Sequence, residues 1–322
     1  DPNWKYRKAI VIDQTKVSSD LMNFPVLLDT NDNDLASNAQ PDGDDIVFTD
    51  AYGNRLSHEI EFFNSSSGRL IAWVNIPLLF ASVDAEIYMY YGNHDTENQQ
   101  NRTAVWDSNF VMVQHLEESL GMRYDSSSNG HNGTTHGEVS KQLDGKINGA
   151  DFFNGVNSYV SFPEGVLPTS AITIELWLKP FSYSTTSWMK YINTGPMTIS
   201  GIYGGQASLT KDRWILGMSW DSKAKSFPVG FTSDFTWNYV VVTWNGLYCY
   251  GYVNGVEVRE EAITGMPDWA GKPLYLGAGY NLYEFFNGTV DELRISETAR
   301  SYDWILTSYN NGENPSTFYT IG

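Results

Sequence analysis

The sequence predicts an all-β protein, built as two antiparallel β-sandwich (jelly-roll) domains with one short helix near the C-terminus. Three observations carry that reading. Short runs alternating between apolar and polar residues recur along the whole chain, punctuated by Gly, Asn, Asp and Pro, which is the period of half-buried strands. These runs follow one another about every 10–15 residues, too closely for the crossover helices that parallel strands require. The length, 322 residues, is enough for two cores at about 100–200 residues per domain.

In the first domain, residues 1–103, strands are expected at Tyr6–Ile12, Phe24–Leu28, Asp45–Thr49, Leu56–Phe62, Leu70–Ile76 and Ala85–Tyr91. Asp50–Gly53 and Ser65–Gly68 have the composition of the turns between neighbours. The joint falls around Glu97–Asp107, with no low-complexity linker. In the second domain, residues 104–322, strands are expected at Tyr159–Phe162, Ile172–Lys179, Met197–Ile202, Arg213–Met218, Trp237–Trp244, Leu247–Val253, Leu274–Leu276 and Thr289–Ile295. Asn254-Gly255, between Leu247–Val253 and Val256–Arg259, is a type I′ hairpin signal. Ala299–Asn310 reads as the helix: Tyr302, Ile305, Leu306 and Tyr309 fall on one face, and Gly312 follows its end.

Hydrophobic residues make up 41% of the chain and charged residues only 18%, so Asn, Ser, Thr and Gly must supply much of the polar surface. Aromatics reach 15%, with 11 Trp and 20 Tyr, which suits half-buried strands and also sugar-stacking platforms. A net charge of −18 disfavours nucleic acid and anionic lipid as partners. Acidic loops favour calcium, though the same charge also simply keeps an exported protein soluble. The lone cysteine, Cys249, excludes an internal disulfide and lies on the apolar side of its strand, as a core residue. No stretch reaches the roughly 18–20 apolar residues of a membrane span, so direct membrane insertion is not expected. The chain reads as a mature form or a piece of a larger protein, and the sequons at Asn64, Asn101, Asn132 and Asn287 are compatible with export.

Several segments in order resemble the concanavalin A-like, laminin G-type superfamily. They are His115–Glu118, Asp125–Thr134, Phe153–Gly155, Tyr159-Val160, Ile172–Pro180, Tyr252–Gly255 and Phe286–Ile295. The N-terminal part is similar to a prokaryotic surface-protein domain of unknown function. That likeness rests on Trp4–Lys8, Asn23–Val26, Asp42–Asp50, His58–Glu61, Ala72–Val74, Ile87–Asn93 and the closing Tyr309–Phe318. The resemblance implies a secreted or surface-anchored protein, a non-catalytic binding or adhesion module at the cell surface.

The same superfamily includes β-glucanases, whose carboxylates stand at alternate positions on one strand; retaining cleavage needs them about 5–5.5 Å apart. Asp291 and Glu292 are adjacent instead, as are Glu117 and Glu118, and Glu257–Glu261 also fails the spacing. No Gly-x-Ser-x-Gly elbow is present, and the pair His131/His136 lacks the accompanying cysteines of a zinc site. A divergent glycoside hydrolase is therefore the minority reading.

Unbroken alternation in Val290–Ile295 puts Asp291 on the side of Leu293 and Ile295, with Glu292 and Arg294 opposite. A carboxylate on an apolar side is costly unless it is paired, hydrogen-bonded or bound to a cation. Asp125–Asn132 is a polar loop able to offer carboxylate, amide and backbone oxygens together. In the family these two segments lie near a bound calcium, so the resemblance implies Asp125, Asn132 and Asp291 as Ca²⁺ ligands. The alternative is that Asp291 accepts hydrogen bonds from that loop with no metal. Asp42, Asp44, Asp45 and Asp50 form another acidic loop, expected to be a solvated turn rather than a calcium loop.

For a ligand surface, Tyr248, Tyr250 and Tyr252 share one face of their strand, and Trp177 and Glu175 share one face of theirs. Facing outward, these five would line a carbohydrate-binding groove; covered, they would pack beneath loops. Trp188, Trp220 and Trp269 are alternative contacts from predicted loops. The expected partner is a polysaccharide or glycoprotein glycan. A structural role beside neighbouring surface-protein subunits is the reading from another class.

Overall fold

The computed structural model describes residues 3–322 apart from 143, 182–188, 195–199, 209–210, 221–222, 229–235, 264, 266, 268 and 270, with backbone alone over the described residues of 200–228. The chain is mostly antiparallel strand, as expected, and divides into two compact units. One comprises Asp1–Asp107 together with Asp303–Gly322; the other is Ser108–Tyr302. The closing segment, which the sequence reading assigns to 104–322, thus lies with the first unit.

In that unit a five-stranded sheet runs in the order Tyr319–Ile321, Tyr6–Ile12, Ala85–Tyr91, Val47–Asp50, Arg55–Leu56. A three-stranded sheet runs Leu21–Asn31, Arg69–Leu79, His58–Asn64. Alternation sorts the faces: Ile10, Ile12, Ile87, Met89 and Phe48 are buried, leaving Arg7, Tyr88 and Tyr90 on the other side. Pro25, which has no N–H, is accommodated because Leu21–Asn31 is an edge strand.

The helix spans Tyr302–Glu313, and its buried residues are Trp304, Ile305, Thr307, Asn311 and Gly312 rather than the Tyr302/Leu306/Tyr309 stripe. Polar groups win these positions because they satisfy backbone at the sheet edge. The Asn311 amide brackets Leu27, accepting from its N–H at 2.7 Å and donating to its carbonyl at 3.1 Å. Thr307 Oγ1 accepts from Ser18 N at 3.1 Å, and Trp304 meets Phe24 edge-on at 4.9 Å.

The acidic loop differs from the solvated turn expected. Asp45 is fully buried, accepting from the N–H groups of Gln40 (2.9 Å), Gly92 (2.7 Å) and Asn93 (3.0 Å). Three backbone donors replace water for that carboxylate. Asp50 builds the neighbouring turn, accepting from Tyr52 N and Asn54 N.

The second unit has an eight-stranded and a seven-stranded sheet. The first is ordered Ser140–Gln142, Ala150–Asn154, Asn287–Ser296, Ile172–Pro180, Asn238–Trp244, Tyr248–Val253, Val256–Ala262, with Phe110–Gln114 also paired to Asn287–Ser296. The second is ordered Lys223–Pro228, Lys211–Trp220, Ser200–Ser208, Lys190–Asn193, Leu274–Leu276, Tyr159–Phe162, Thr134–His136. Ile174, Leu176, Leu178, Val240, Val242, Val160, Phe162, Leu274 and Leu276 belong to one buried core, and Cys249 lies within it. Fully burying a side chain of this size contributes about 1.5–3 kcal/mol. The Asn254-Gly255 turn has φ of 51° and 75°, the two positive values a type I′ hairpin demands.

Trp269 is not a loop contact: it is fully buried, donates from Nε1 to Pro168 O at 2.9 Å, and meets Trp244 edge-on. Trp188 lies outside the described residues, as does the side chain of Trp220, which sits in a strand rather than a loop.

Candidate functional site

The pairing register places all five predicted carbohydrate contacts on the outer face of the eight-stranded sheet. Glu175 lies opposite Val241, which lies opposite Tyr252; Thr243 lies opposite Tyr250; Trp177 lies opposite Tyr239. Their accessibility, however, is unequal. Trp177, Glu175 and Tyr252 are 2%, 1% and 4% exposed. The Tyr239 hydroxyl donates to Glu175, the Lys146 ammonium sits 4.5 Å from the Trp177 ring centroid, and Tyr252 lies against Tyr302 at 6.3 Å. Burial, with the nearby Glu257 carboxylate, pushes the Tyr252 hydroxyl up to about 12. These three side chains are committed to the protein. Tyr248, 41% exposed, and half-buried Tyr250 remain accessible, their rings 6.4 Å apart.

The parity reading of Asp291 is overturned by a β-bulge. Between the pairs Glu175–Arg294 and Trp177–Asp291 the register shifts, and Glu292 takes φ of 53°. An extra residue flips the faces on either side of it. Val290, Leu293 and Ile295 all enter the core, while Asp291 sides with Trp177 and Arg294 with Glu175. On that outer face lies a buried polar network that the alternation concealed. His115 Nδ1 is 2.7 Å from Glu292 Oε1, and Arg294 donates to Glu292 Oε2 at 2.6 Å. Burial opposes ionisation of Glu292, but His115 and Arg294 outweigh it and hold the carboxyl below its ordinary range. Glu117 is paired with Lys141 at 3.2 Å, and Glu118 accepts from Tyr124 N at 2.7 Å.

The three predicted calcium ligands do not converge. Asp291 Oδ2 accepts from Ile147 N at 2.9 Å, beneath the loop that includes Gly145. Asp125 lies opposite Gln114, which in turn lies opposite Leu293, so two strand spacings (about 10 Å) separate Asp125 from the strand of Asp291. Both Asp125 oxygens are already occupied: Oδ1 by Val113 N (2.9 Å) and Ser127 N (2.8 Å), Oδ2 by Ser127 Oγ (2.8 Å) and His131 N (2.7 Å). Asn132 Oδ1 accepts from Asp125 N at 2.9 Å. A cation requires converging oxygens, whereas this loop directs N–H and O–H donors at its carboxylate. The donor set does not fit calcium.

A different aromatic group gathers on the outer face of the seven-stranded sheet. Tyr159 and His136 are directly opposite across the ladder and stack at 4.4 Å with 9° between planes. Tyr275 meets Tyr159 edge-on at 5.9 Å, and Phe285 lies 6.4 Å from it. Ser161 Oγ is 2.9 Å from His136 Nε2. All five side chains are half-buried, and for Tyr159, Ser161 and Tyr275 alternation sends Val160, Phe162, Leu274 and Leu276 inward from the same strands. Tyr280, 38% exposed, approaches Tyr275 from the adjoining loop; burial first, then Tyr159 and Tyr280, raises the Tyr275 hydroxyl. That loop is held by Asn193 Oδ1, which accepts from Tyr280 N at 2.6 Å. Parity in Tyr159–Phe162 was legible, but its meeting with His136 and Tyr275 depends on pairing between segments far apart in sequence.

Residues 154–306 match the family model of the concanavalin A-like lectin/glucanases superfamily, and residues 42–129 match a domain of unknown function (DUF2341). No curated protein matches the chain. Among solved structures, the chain is similar to domain 4 of AbnA, an extracellular GH43 arabinanase from Geobacillus stearothermophilus, in complex with arabinotriose. That match has a TM-score of 0.52 at 20% identity, over 63% of this chain and 98% of that one. The binding domain of Paraclostridial Mosquitocidal Protein 1 follows with a TM-score of 0.51 at 14% identity, over 62% and 52%. The botulinum neurotoxin serotype D binding domain gives 0.50 at 15% identity, over 65% and 52%. The chain thus spans about half the length of the last two, and at these identities the likeness is one of fold. With the two-sheet core of Ser108–Tyr302 and both family matches in place, the chain carries a concanavalin A-like, laminin G-type domain preceded by a domain of unknown function.

Proposed function

We propose that the chain is a non-catalytic, extracellular carbohydrate-binding module that takes a polysaccharide or glycoprotein glycan on the outer face of its seven-stranded sheet. The observation that carries this is the cluster of half-buried rings, Tyr159, His136, Tyr275 and Phe285, with hydroxyl and imidazole donors among them. Rings fixed by a sheet offer apolar faces to the C–H side of a sugar at small entropic cost, and adjacent polar groups fix its orientation. The arabinotriose bound to the arabinanase domain named above supports the ligand class. The non-catalytic part is supported by the carboxylates of the opposite sheet: Glu292 is bound by His115 and Arg294, and Glu175 accepts from Tyr239. Calcium forms no part of this reading.

A glycan array with the full chain tests it. Binding should survive chelator, fall by about tenfold or more in Tyr159→Ala, and change little in Tyr248→Ala. Undiminished binding by Tyr159→Ala would move the site elsewhere.

A second reading, a structural subunit, is favoured by the hairpin edge. Leu247 beside Tyr248, and Val256 and Val258 at the other end of the edge strand, are 59%, 59% and 39% exposed. Sedimentation that reveals self-association, abolished by Val256→Lys, would support this reading instead.

A further inference from the structure

The first unit holds a separate cleft of about 280 Å³, lined by Trp4, Val47, Thr49, Gly53, Arg55 and Tyr90. It opens on the outer face of the five-stranded sheet, where the register sets Val47 opposite Tyr90 and Thr49 opposite Arg55. The cleft is built rather than incidental. The Trp4 indole N–H donates to Asp45 O at 2.7 Å, and the Asp45 carboxylate is itself locked by three backbone donors. The rim turn is fixed by Asp50, whose Oδ2 also accepts from Asn54 Nδ2 at 2.7 Å. At its tip Gly53 has φ of 87°, and a Cβ there would meet nothing, so the lip stays low.

Two guanidinium groups mark this face. Arg55 is exposed and donates to the neutral amide of Gln99, which orients its charge without cancelling it. Arg7 lies 4.6 Å from the Tyr88 ring centroid and 6.0 Å from that of Tyr90.

We infer that this cleft binds one sugar ring bearing a carboxylate, a hexuronic-acid residue. Its volume stands just below the roughly 300 Å³ at which small-molecule sites begin, enough for one ring and not for a chain. Trp4 and Tyr90 supply the apolar surface for the ring, Thr49 a hydroxyl, and Arg55 the planar fork that pairs with carboxylate. A purely apolar ligand would leave the Arg55 N–H groups that Gln99 does not take facing it unpaired, whereas the Thr49 hydroxyl, which donates to Asp50 O at 3.0 Å, keeps its lone pairs for a ligand hydroxyl. A cation would face Arg55. A phosphorylated ligand, doubly charged, is opposed by the net charge of −18 more strongly than a single carboxylate is. This site lies in the other unit and does not depend on the Tyr159 surface.

Saturation-transfer NMR and titration calorimetry on the full chain test the inference. The probes are the methyl glycosides of glucuronic, galacturonic and mannuronic acid, each against its neutral hexoside. At least one acid should bind, about tenfold tighter than its neutral counterpart. Arg55→Gln, at an exposed position that leaves melting unchanged, should erase that preference. Trp4→Ala should remove binding, and Tyr159→Ala should leave it intact. Three silent acids would overturn the inference. So would equal binding of acid and neutral sugar, or a preference that outlives Arg55→Gln.

Discussion

Arg123 and Asp151 offer a quantitative test of how the second unit is held. Both side chains are fully buried, and the guanidinium grips the carboxylate through Nε (2.9 and 2.8 Å) and Nη2 (2.5 Å). The pair pins the segment around Arg123, which exchanges backbone hydrogen bonds with Gly133 just before the strand of His136, against Ala150–Asn154. Burial raises the Asp151 carboxyl from 3.8 to about 6, with Arg123 offsetting part of the rise. That increase corresponds to about 3 kcal/mol by which desolvation outweighs attraction. A folded-state value above the unfolded one means that the native protein binds this proton more tightly. The group's contribution to stability is therefore fully present below pH 3.8 and is lost as pH rises through about 6.

At pH 7 both partners are charged, and the consequences of substitution are asymmetric. Asp151→Asn strands a guanidinium that cannot shed its proton, and should cost about 3–5 kcal/mol. For a unit of this size that lowers the midpoint by about 6–20 °C. Arg123→Met leaves a carboxyl that escapes its penalty by protonating, so its cost should shrink between pH 7 and pH 5. The double variant Arg123→Met/Asp151→Leu should recover most of the loss or exceed the parent. Differential scanning calorimetry at the two pH values reads all of this. Equal costs for the two single variants at pH 5, or a double variant as unstable as Asp151→Asn, would refute the reasoning.

Three further outcomes follow from the same structure. Burial lowers the His58 imidazole from 6.5 to about 4, beside the Phe48 ring at 5.2 Å, so the unfolded chain binds its proton more readily. Stability of the first unit should be fully present above pH 6.5 and lost by up to about 3 kcal/mol as pH falls to 4, a slope that His58→Leu removes in denaturant titrations. Asp125→Ala should destabilise the second unit by at least about 1.5–3 kcal/mol through its lost donors. Calcium or chelator at equal ionic strength should leave the parent's melting temperature where it is, and a rise with calcium would restore the metal reading.

Local rules made much of the fold legible. Tyr6–Ile12, Ala85–Tyr91, Tyr159–Phe162 and Leu274–Leu276 have the bounds their alternation predicts, and Asn254-Gly255 turns as its φ preference requires. Strands such as Phe110–Gln114 and Ala150–Asn154 were not foreseen, because buried on both sides or short, they carry little period. The site was legible only in part. Tyr248, Tyr250 and Tyr252 do share a face, but their parity could not say which of them a loop or helix start would cover.

Composition, alternation and turn chemistry determine by themselves that this chain is all-β, antiparallel and sandwich-forming, because those signals reside within a few consecutive residues. Tertiary structure alone decided three further matters. A single bulged residue, Glu292, turned Asp291 away from the core, since one added residue reverses every later side chain on a strand. Tyr159, His136 and Tyr275 became one cluster through pairing of strands far apart in the chain, Tyr159–Phe162 with both Thr134–His136 and Leu274–Leu276, which no local pattern encodes. The carboxylate of Asp125, which reads as a cation ligand, is instead satisfied by the chain's own donors, and only their positions in space reveal that.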